Sequence, residues 1–300
     1  MLIYVTGRGL SGSTILDIAL SQSRNVIGMG EFVIGMYEKG KCSCGKRLTG
    51  CDKWKELFSS ESGIVKQDFE YLKNESKVTK FLKYFVVNEK KFQRKAKKYL
   101  EINTKVLNIK KSSSDSFIIV DSSKEVTRGL ILSRGYDKCV IIHLIRDPFK
   151  VLSSVIYHFE QGKGFRFMRK KYKNKNAIFI YLLITSYGWV IGNLLIELTG
   201  IYNRDKKIRI RYEDLCVAPN EEIERIEKRI KHDLSGTKEF LNGEKAAKNF
   251  HTVRGNPTKS DTNLLFNKNR AVGRDRLSVF QRTIVRIIVA PLRVAYGYGL

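Results

Sequence analysis

A glycine-rich turn between the first apolar run and the first helical one constrains this chain more than any other feature. Leu2 to Val5 reads as a buried strand, Thr6-Gly7-Arg8-Gly9-Leu10-Ser11-Gly12-Ser13-Thr14 follows, and a helix continues to Ser21. A turn of this kind aims backbone N–H groups and a helix dipole at an anion. Ser13 and Thr14 fall at the helix start, where hydroxyls cap the helix or bind phosphate oxygens. Two spacings fit. Gly7, Gly9 and Gly12 match the dinucleotide pattern, with Glu31 near where a ribose-binding carboxylate would sit. Gly7, Gly12, Ser13 and Thr14 match the Walker A frame, with Ser13 in place of its lysine. That lysine supports triphosphate charge beside magnesium, so its absence argues against ATP or GTP hydrolysis.

Short, near-continuous apolar runs recur along the chain. Leu2–Val5, Asn25–Gly28, Phe117–Val120, Cys139–Leu144 and Lys207–Arg211 have the composition of buried parallel strands. Helical stretches follow most of them, at Ser13–Ser21, Ser123–Ser133, Pro148–Phe159 and Asn220–His232. This alternation predicts an α/β fold: a parallel sheet with helices on both faces and ligands at the carboxyl ends of its strands. Lys53 to Asp115 interrupts it as a Lys-rich helical insertion, in which Lys80–Lys98 reads as one amphipathic basic helix capping the sheet. No Pro- or Ser-rich linker divides residues 1–300, so a single domain with an inserted cap at about 53–115 is expected.

Lys and Arg number 56 against 30 Asp and Glu, and the net charge of +26 implies anionic company without naming it. No recognised nucleic-acid module is present, so nucleic acid is not the expected partner. A brief apolar run before Gly7 and an odd count of 5 Cys point to a cytoplasmic chain with reduced thiols. Cys42, Cys44 and Cys51 cluster, but His143, His158, His232 and His251 are all distant in sequence. A structural zinc requires four ligands, so these thiols are expected to shape a loop, and no metal is expected. Ala177 to Ile196 carries no formal charge and follows the basic run Arg169–Lys175. Its length suits a bilayer-spanning helix. Thr185, Ser186, Asn193, Gly188, Gly192 and the adjacent Glu197 favour instead a long helix buried in the core.

A second anion site is written after the fourth strand. Pro148 suits the first position of a helix with Asp147 as its cap, leaving Arg146 at the strand end and Ser154 two turns along. An Arg and a hydroxyl at one helix edge make a phosphate clamp. Together with the first loop, these residues resemble the sulfotransferases that use 3′-phosphoadenosine 5′-phosphosulfate (PAPS). Gly30-Glu31, Cys42-Ser43-Cys44-Gly45 with Cys51 and Trp54, and Val120-Asp121-Ser122-Ser123-Lys124 fit the bacterial members. So do Arg211-Tyr212-Glu213-Asp214-Leu215, His251 to Pro257 and the closing Tyr296-Gly297-Tyr298. The likeness spans nearly the whole chain in order, and is weakest from Trp54 to Asp115 and from Gly162 to Ile178.

The resemblance implies a P-loop-like fold and direct transfer of a sulfuryl group to an acceptor hydroxyl or amine, with no divalent metal. Gly9, Leu10, Ser11, Gly12, Ser13 and Thr14 would hold the 5′-phosphosulfate, and Arg146 and Ser154 the 3′-phosphate. Arg254 and Gly255 would cover the nucleotide, with Tyr212 near it, and adenosine 3′,5′-bisphosphate would be the product. Leu10 departs from the family, which places Arg, Lys or His there to steady the bridging oxygen. Arg8 or Lys124 would supply that charge. Glu31, at a strand end beside the loop, is the candidate general base. Two rivals stand beside this reading. A Rossmann-type NAD(P)-dependent dehydrogenase leaves Arg146, Ser154 and the Arg254 loop unexplained; a non-catalytic basic protein that binds membrane or polyanion is favoured by Leu10. The charge and two basic amphipathic stretches, Lys80–Lys98 and the closing helix with Arg282, Arg286 and Arg293, point to a glycan or glycolipid acceptor at an anionic membrane surface.

Overall fold

The first strand, β1 (Leu2–Thr6), buries Leu2 and Tyr4 on one face of a sheet and Ile3 and Val5 on the other. A strand covered on both faces must lie between two layers of helices, which is why its apolar run is unbroken. The computed structural model describes residues 1–38, 40–59, 62–110, 117–160, 175–256, 263–271 and 275–299. Its five parallel strands run in the order β2–β3–β1–β4–β5, with β2 at Val26–Gly28, β3 at Ile118–Lys124, β4 at Cys139–Ile145 and β5 at Lys207–Arg211. All five expected strands form, and the expected α/β sheet is the observed one. The glycine turn therefore leaves the central strand between the ends of β3 and β4. In dinucleotide-binding sheets the second strand adjoins the first. Here β3 intervenes, so the Gly7, Gly9, Gly12 spacing sits on a different topology.

Helices cover both faces. On one, α1 (Ser13–Leu20) packs with α9 (Tyr212–Val217), α10 (Pro219–Ile230) and α11 (Ser235–Leu241) over Ile3, Val5 and Ile142. On the other, the insertion contributes α3 (Lys66–Glu75), α4 (Phe81–Phe85) and α5 (Glu89–Lys110), with α2 (Phe32–Tyr37) before them and α6 (Val126–Gly135) after. Phe69, Phe81, Tyr84, Phe92 and Tyr99 from these helices pack with Tyr4 and Ile141 of the sheet. Arg128 of α6 anchors the insertion to β3: wholly buried, it donates to Asp121 at 2.6 Å, to the Tyr99 hydroxyl at 2.7 Å and to Asn103 at 2.7 Å. The expected helix over Lys80–Lys98 is corrected to two. It breaks at Val86–Asn88, where β-branched residues disfavour helix and the Asn88 side chain accepts from Lys91 N–H at 3.0 Å to begin α5. Residues 111–115 of the expected insertion lie outside the described residues.

Two further expectations change. β3 runs on to Lys124, so the helix expected from Ser123 begins at Val126. The uncharged segment forms α8 (Lys175–Asn203), but it is not a buried core helix. One face, with Leu182, Ser186, Trp189, Asn193 and Ile196, packs inward against α7 (Pro148–Glu160) and α12 (Val279–Ala295). The opposite face leaves Ile180, Ile184, Tyr187, Ile191, Leu194, Leu198 and Ile201 exposed. These alternate three and four residues apart, one continuous apolar stripe. Apolarity all round a helix signals burial only when both faces have partners. The basic run ahead of α8, at 169–174, lies outside the described residues.

Candidate active site

The turn after β1 is held open by its own glycines and by one aromatic ring. Gly12 precedes α1 at φ +95°, and a Cβ there would fall 2.3 Å from the ring of Tyr212, which is buried beneath the loop. The ring also carries the Arg146 guanidinium, 4.9 Å from its centre. Arg146 leaves β4 and donates to the Leu10 carbonyl at 2.9 Å, so the two expected phosphate sites meet at the loop's backbone. Asp147 caps α7 as its sequence predicts, accepting from Phe149 N–H at 2.7 Å, with Pro148 first in the helix. Ser154 lies on the second turn and donates to the Lys150 carbonyl at 2.8 Å, leaving its oxygen able to accept rather than free to donate elsewhere.

Within the loop, Gly9 faces open space, and α1 has no side-chain cap. The Ser11 hydroxyl is buried and has no hydrogen-bond partner among the described residues. An orphaned hydroxyl in a turn leading to a helix N-terminus fits an anionic oxygen as partner. Ser13 and Thr14 are also buried, and the Thr14 hydroxyl accepts from Asn256 N–H at 3.2 Å. Gly255, at φ +102°, lies so close that a Cβ would meet Thr14 Oγ1 at 2.8 Å. The loop at 254–256 therefore closes directly over the start of α1.

Two cations converge on one carboxylate beside this opening. Glu31 is bracketed: Lys124 Nζ bonds one of its oxygens, and Arg254 Nε lies 3.5 Å from the other. Arg254 also pairs with Glu38 at 3.2 Å. Arg8 takes another direction, lying over Gly188 and Gly192 of α8, where any side chain would meet its guanidinium or its stem. Burial lowers the Arg8 pKa from the usual guanidinium value, and its electrostatic partner among the described residues is Tyr181 rather than a carboxylate. Leu10, Lys124 and Arg254 adopt φ of +69°, +74° and +57°, a left-handed conformation uncommon outside glycine. Non-glycine residues stay there only when their surroundings hold them, and such residues gather at functional sites.

Sequence reasoning missed two supports of this site. Asp17 of α1 is buried, accepting from Gly30 N–H at 3.0 Å and from the Thr252 hydroxyl at 3.0 Å, and so ties α1 to the segments that carry Glu31 and Arg254. Gly188 and Gly192 make room for Arg8, and their four-residue spacing in an otherwise bulky helix was the available signal. The expectation that Cys42, Cys44 and Cys51 lack a fourth ligand is corrected. His251 lies among them, with Nδ1 3.5 Å from Cys42 Sγ and 3.3 Å from Cys51 Sγ.

Sheet order, the glycine turn after the central strand and the arginine that grips its backbone define a P-loop-like α/β protein. More particularly, the fold is one seen in solved sulfotransferases. It superposes on the sulfotransferase domain from the curacin biosynthetic pathway with a TM-score of 0.53, at 14% identity, over 100% of this chain and 98% of that one. A sulfotransferase from Mycobacterium avium gives 0.53 at 12% identity, over 99% of this chain and 77% of that one. No family model matches the chain, and no curated protein matches it.

Proposed function

We propose that this chain is a sulfotransferase that moves a sulfuryl group from PAPS to an acceptor hydroxyl. The observation that carries the reading is the orphaned Ser11 hydroxyl in a turn whose backbone is gripped by Arg146. One site for an anion and a cation for a second lie on adjoining strand ends. Bound there, PAPS would supply an activated sulfuryl group whose transfer has no need of a metal. The chain's residues do the rest. Gly9 to Thr14 present N–H and hydroxyl groups, and Arg146 with Ser154 receives the 3′-phosphate. Arg254 and Gly255 close over the nucleotide and exclude water, with Tyr212 as the platform beneath.

Glu31 is the base for the acceptor proton, and Lys124 orients it through their shared ion pair. Lys124 and Arg8 are the cations available where Leu10 supplies none. Arg8, half-buried and without a carboxylate partner among the described residues, lies over Gly188 and Gly192 and would have to turn toward the loop to serve. Lys124 already bonds Glu31 beside the loop. The dehydrogenase reading loses support, since Glu31 follows an edge strand separated from β1 by β3. Thermal shift against adenosine 3′,5′-bisphosphate, NADH and ATP tests the choice. The bisphosphate at a hundred times its dissociation constant should stabilise by about 2.7 kcal/mol. Stabilisation by NADH and not by the bisphosphate overturns it.

The acceptor we propose is a sugar hydroxyl of a glycan or glycolipid presented at an anionic membrane surface on the cytoplasmic side. Beside the exposed stripe of α8 stand Phe280 and Ile287 of α12, with Phe179 and Phe280 in ring contact at 5.7 Å. At its far end Tyr202 meets Phe85, next to the exposed Leu82 and Val86. An apolar band of this extent on a chain of net charge +26 complements an anionic bilayer, which offers acyl chains below and negative headgroups above. Turnover on a vesicle-borne glycolipid above that on a soluble alcohol is expected; the reverse preference removes the membrane acceptor.

A further inference from the structure

We infer that Cys42, Cys44, Cys51 and His251 form a zinc site that fastens the loop over the active site. The ligand atoms of all four residues lie within 4.8 Å of one another. Three of their separations are 3.6 Å for Cys44 Sγ to Cys51 Sγ, 3.5 Å for Cys42 Sγ to His251 Nδ1 and 3.3 Å for Cys51 Sγ to His251 Nδ1. Zinc bonds of about 2.3 Å to sulfur and about 2.05 Å to nitrogen set tetrahedral edges of roughly 3.8 Å and 3.6 Å. The observed separations are close to those edges. They are far from the ~2.05 Å of a disulfide, which would in any case use only two of the sulfurs. Three thiolates with one imidazole, without redox demands on the metal, select zinc among the common ions.

The local chain is built for it. Cys42-Ser43-Cys44-Gly45 makes a tight turn, with Gly45 N–H on the Cys42 carbonyl at 3.0 Å and Gly45 at φ +85°. A bridge between Lys41 and Arg47 closes it, and Trp54 N–H on the Cys51 carbonyl at 2.8 Å fixes the third cysteine. Cys42 and Cys51 are buried and Cys44 is exposed, so the cluster lies just under the surface with an entry path from solvent. His251 arrives from a remote segment. Ser43 N–H on the Thr252 carbonyl at 3.0 Å and Trp54 Nε1 on the His251 carbonyl at 2.8 Å hold that segment against the turn. Beyond His251 the same segment bridges Val253 to Gly30, then delivers Arg254 to Glu31 and Asn256 to Thr14. A metal here joins the cysteine turn to the residues that cover the loop. It sits outside the chemistry: its ligands are all protein atoms and no open position is left for substrate.

The link to ligand binding rests on the proposed function, whereas the metal itself does not. Elemental analysis of protein purified without chelator is expected to give one zinc per chain. Replacement by cobalt(II) should produce the visible absorption of a tetrahedral ion with a near-ultraviolet thiolate charge-transfer band. His251→Ala and Cys51→Ser should lose both signals, and His251→Cys, which restores a four-ligand set, should keep bound metal. Cys139→Ser, distant from the cluster, should change nothing. Stoichiometric zinc indifferent to His251→Ala, or reduced protein with neither metal nor cobalt spectrum, overturns the site. Metal-free protein that remains folded should bind adenosine 3′,5′-bisphosphate more weakly than the zinc form. Equal affinity, with zinc stoichiometric, would sever the site from the loop, and bisphosphate that binds neither form would count against the sulfotransferase reading alone.

Discussion

At the scale of single residues, the site is defined by groups whose position is costly unless something compensates it. Leu10, Lys124 and Arg254 occupy left-handed backbone, and each is fastened by a named contact: the Leu10 carbonyl by Arg146, Lys124 and Arg254 by Glu31. Arg146→Ala removes both the clasp on Leu10 and the proposed 3′-phosphate contact. A charge-assisted bond is worth roughly 1.5–3 kcal/mol, so isothermal titration should show adenosine 3′,5′-bisphosphate binding weakened between about ten- and a hundredfold. Unchanged affinity would refute the clamp. Leu10→Arg tests the missing cation. The backbone there already suits a non-glycine residue, so restored charge should raise turnover with little change in nucleotide affinity. A fall in turnover would mean that Arg8 or Lys124 already fills the role. Arg146 and Ser154 were legible because the Pro148 signal placed them. Arg8 was legible as a charge, and its course over Gly188 and Gly192 was not.

Among the elements, α8 is where local pattern and tertiary fate part. Its composition describes an apolar helix, and periodicity alone cannot say which faces have neighbours. Packing of α7 and α12 against one side leaves the stripe from Ile180 to Ile201 without cover among the described residues. Ile184→Glu with Ile191→Glu should abolish sedimentation with anionic liposomes while bisphosphate binding is retained, since both side chains lie on the exposed face. Wild-type binding should weaken as salt rises, because its electrostatic part is screened within about 8 Å at physiological ionic strength. Absence of binding at every salt concentration would remove the membrane proposal. The insertion teaches the converse. Lys80–Lys98 looked like one helix by amphipathicity, but Val86, Val87 and Asn88 carry a local break that the broad pattern concealed.

Across the whole molecule, the sheet and its covering loop are coupled through a buried acid. Burial pushes Asp17 up to about 7 from an ordinary 3.8, against the pull of its bonds to Gly30 and Thr252. A raised acid contributes most to stability below the unfolded value and loses that contribution as pH climbs through the folded one. Thermal melting should therefore decline between about pH 4 and pH 7 more steeply in the wild type than in Asp17→Asn; parallel profiles would show that Asp17 does not titrate there. Five strands, their parallel character and the positions of the glycine turn and the Asp147-Pro148 turn could be read from sequence, because each is a local matter of apolar runs, glycine and proline. Helix polarity at Asp147-Pro148 belongs with them. Strand order could not, since nothing local says that β3 rather than β2 lies beside β1. Nor could the meeting of His251 with Cys42, Cys44 and Cys51, or of Arg254 with Glu31, across two hundred residues of chain. Backbone preferences act over a few neighbours, and only the burial of both sheet faces, which is a property of the entire fold, brings such distant side chains to one point.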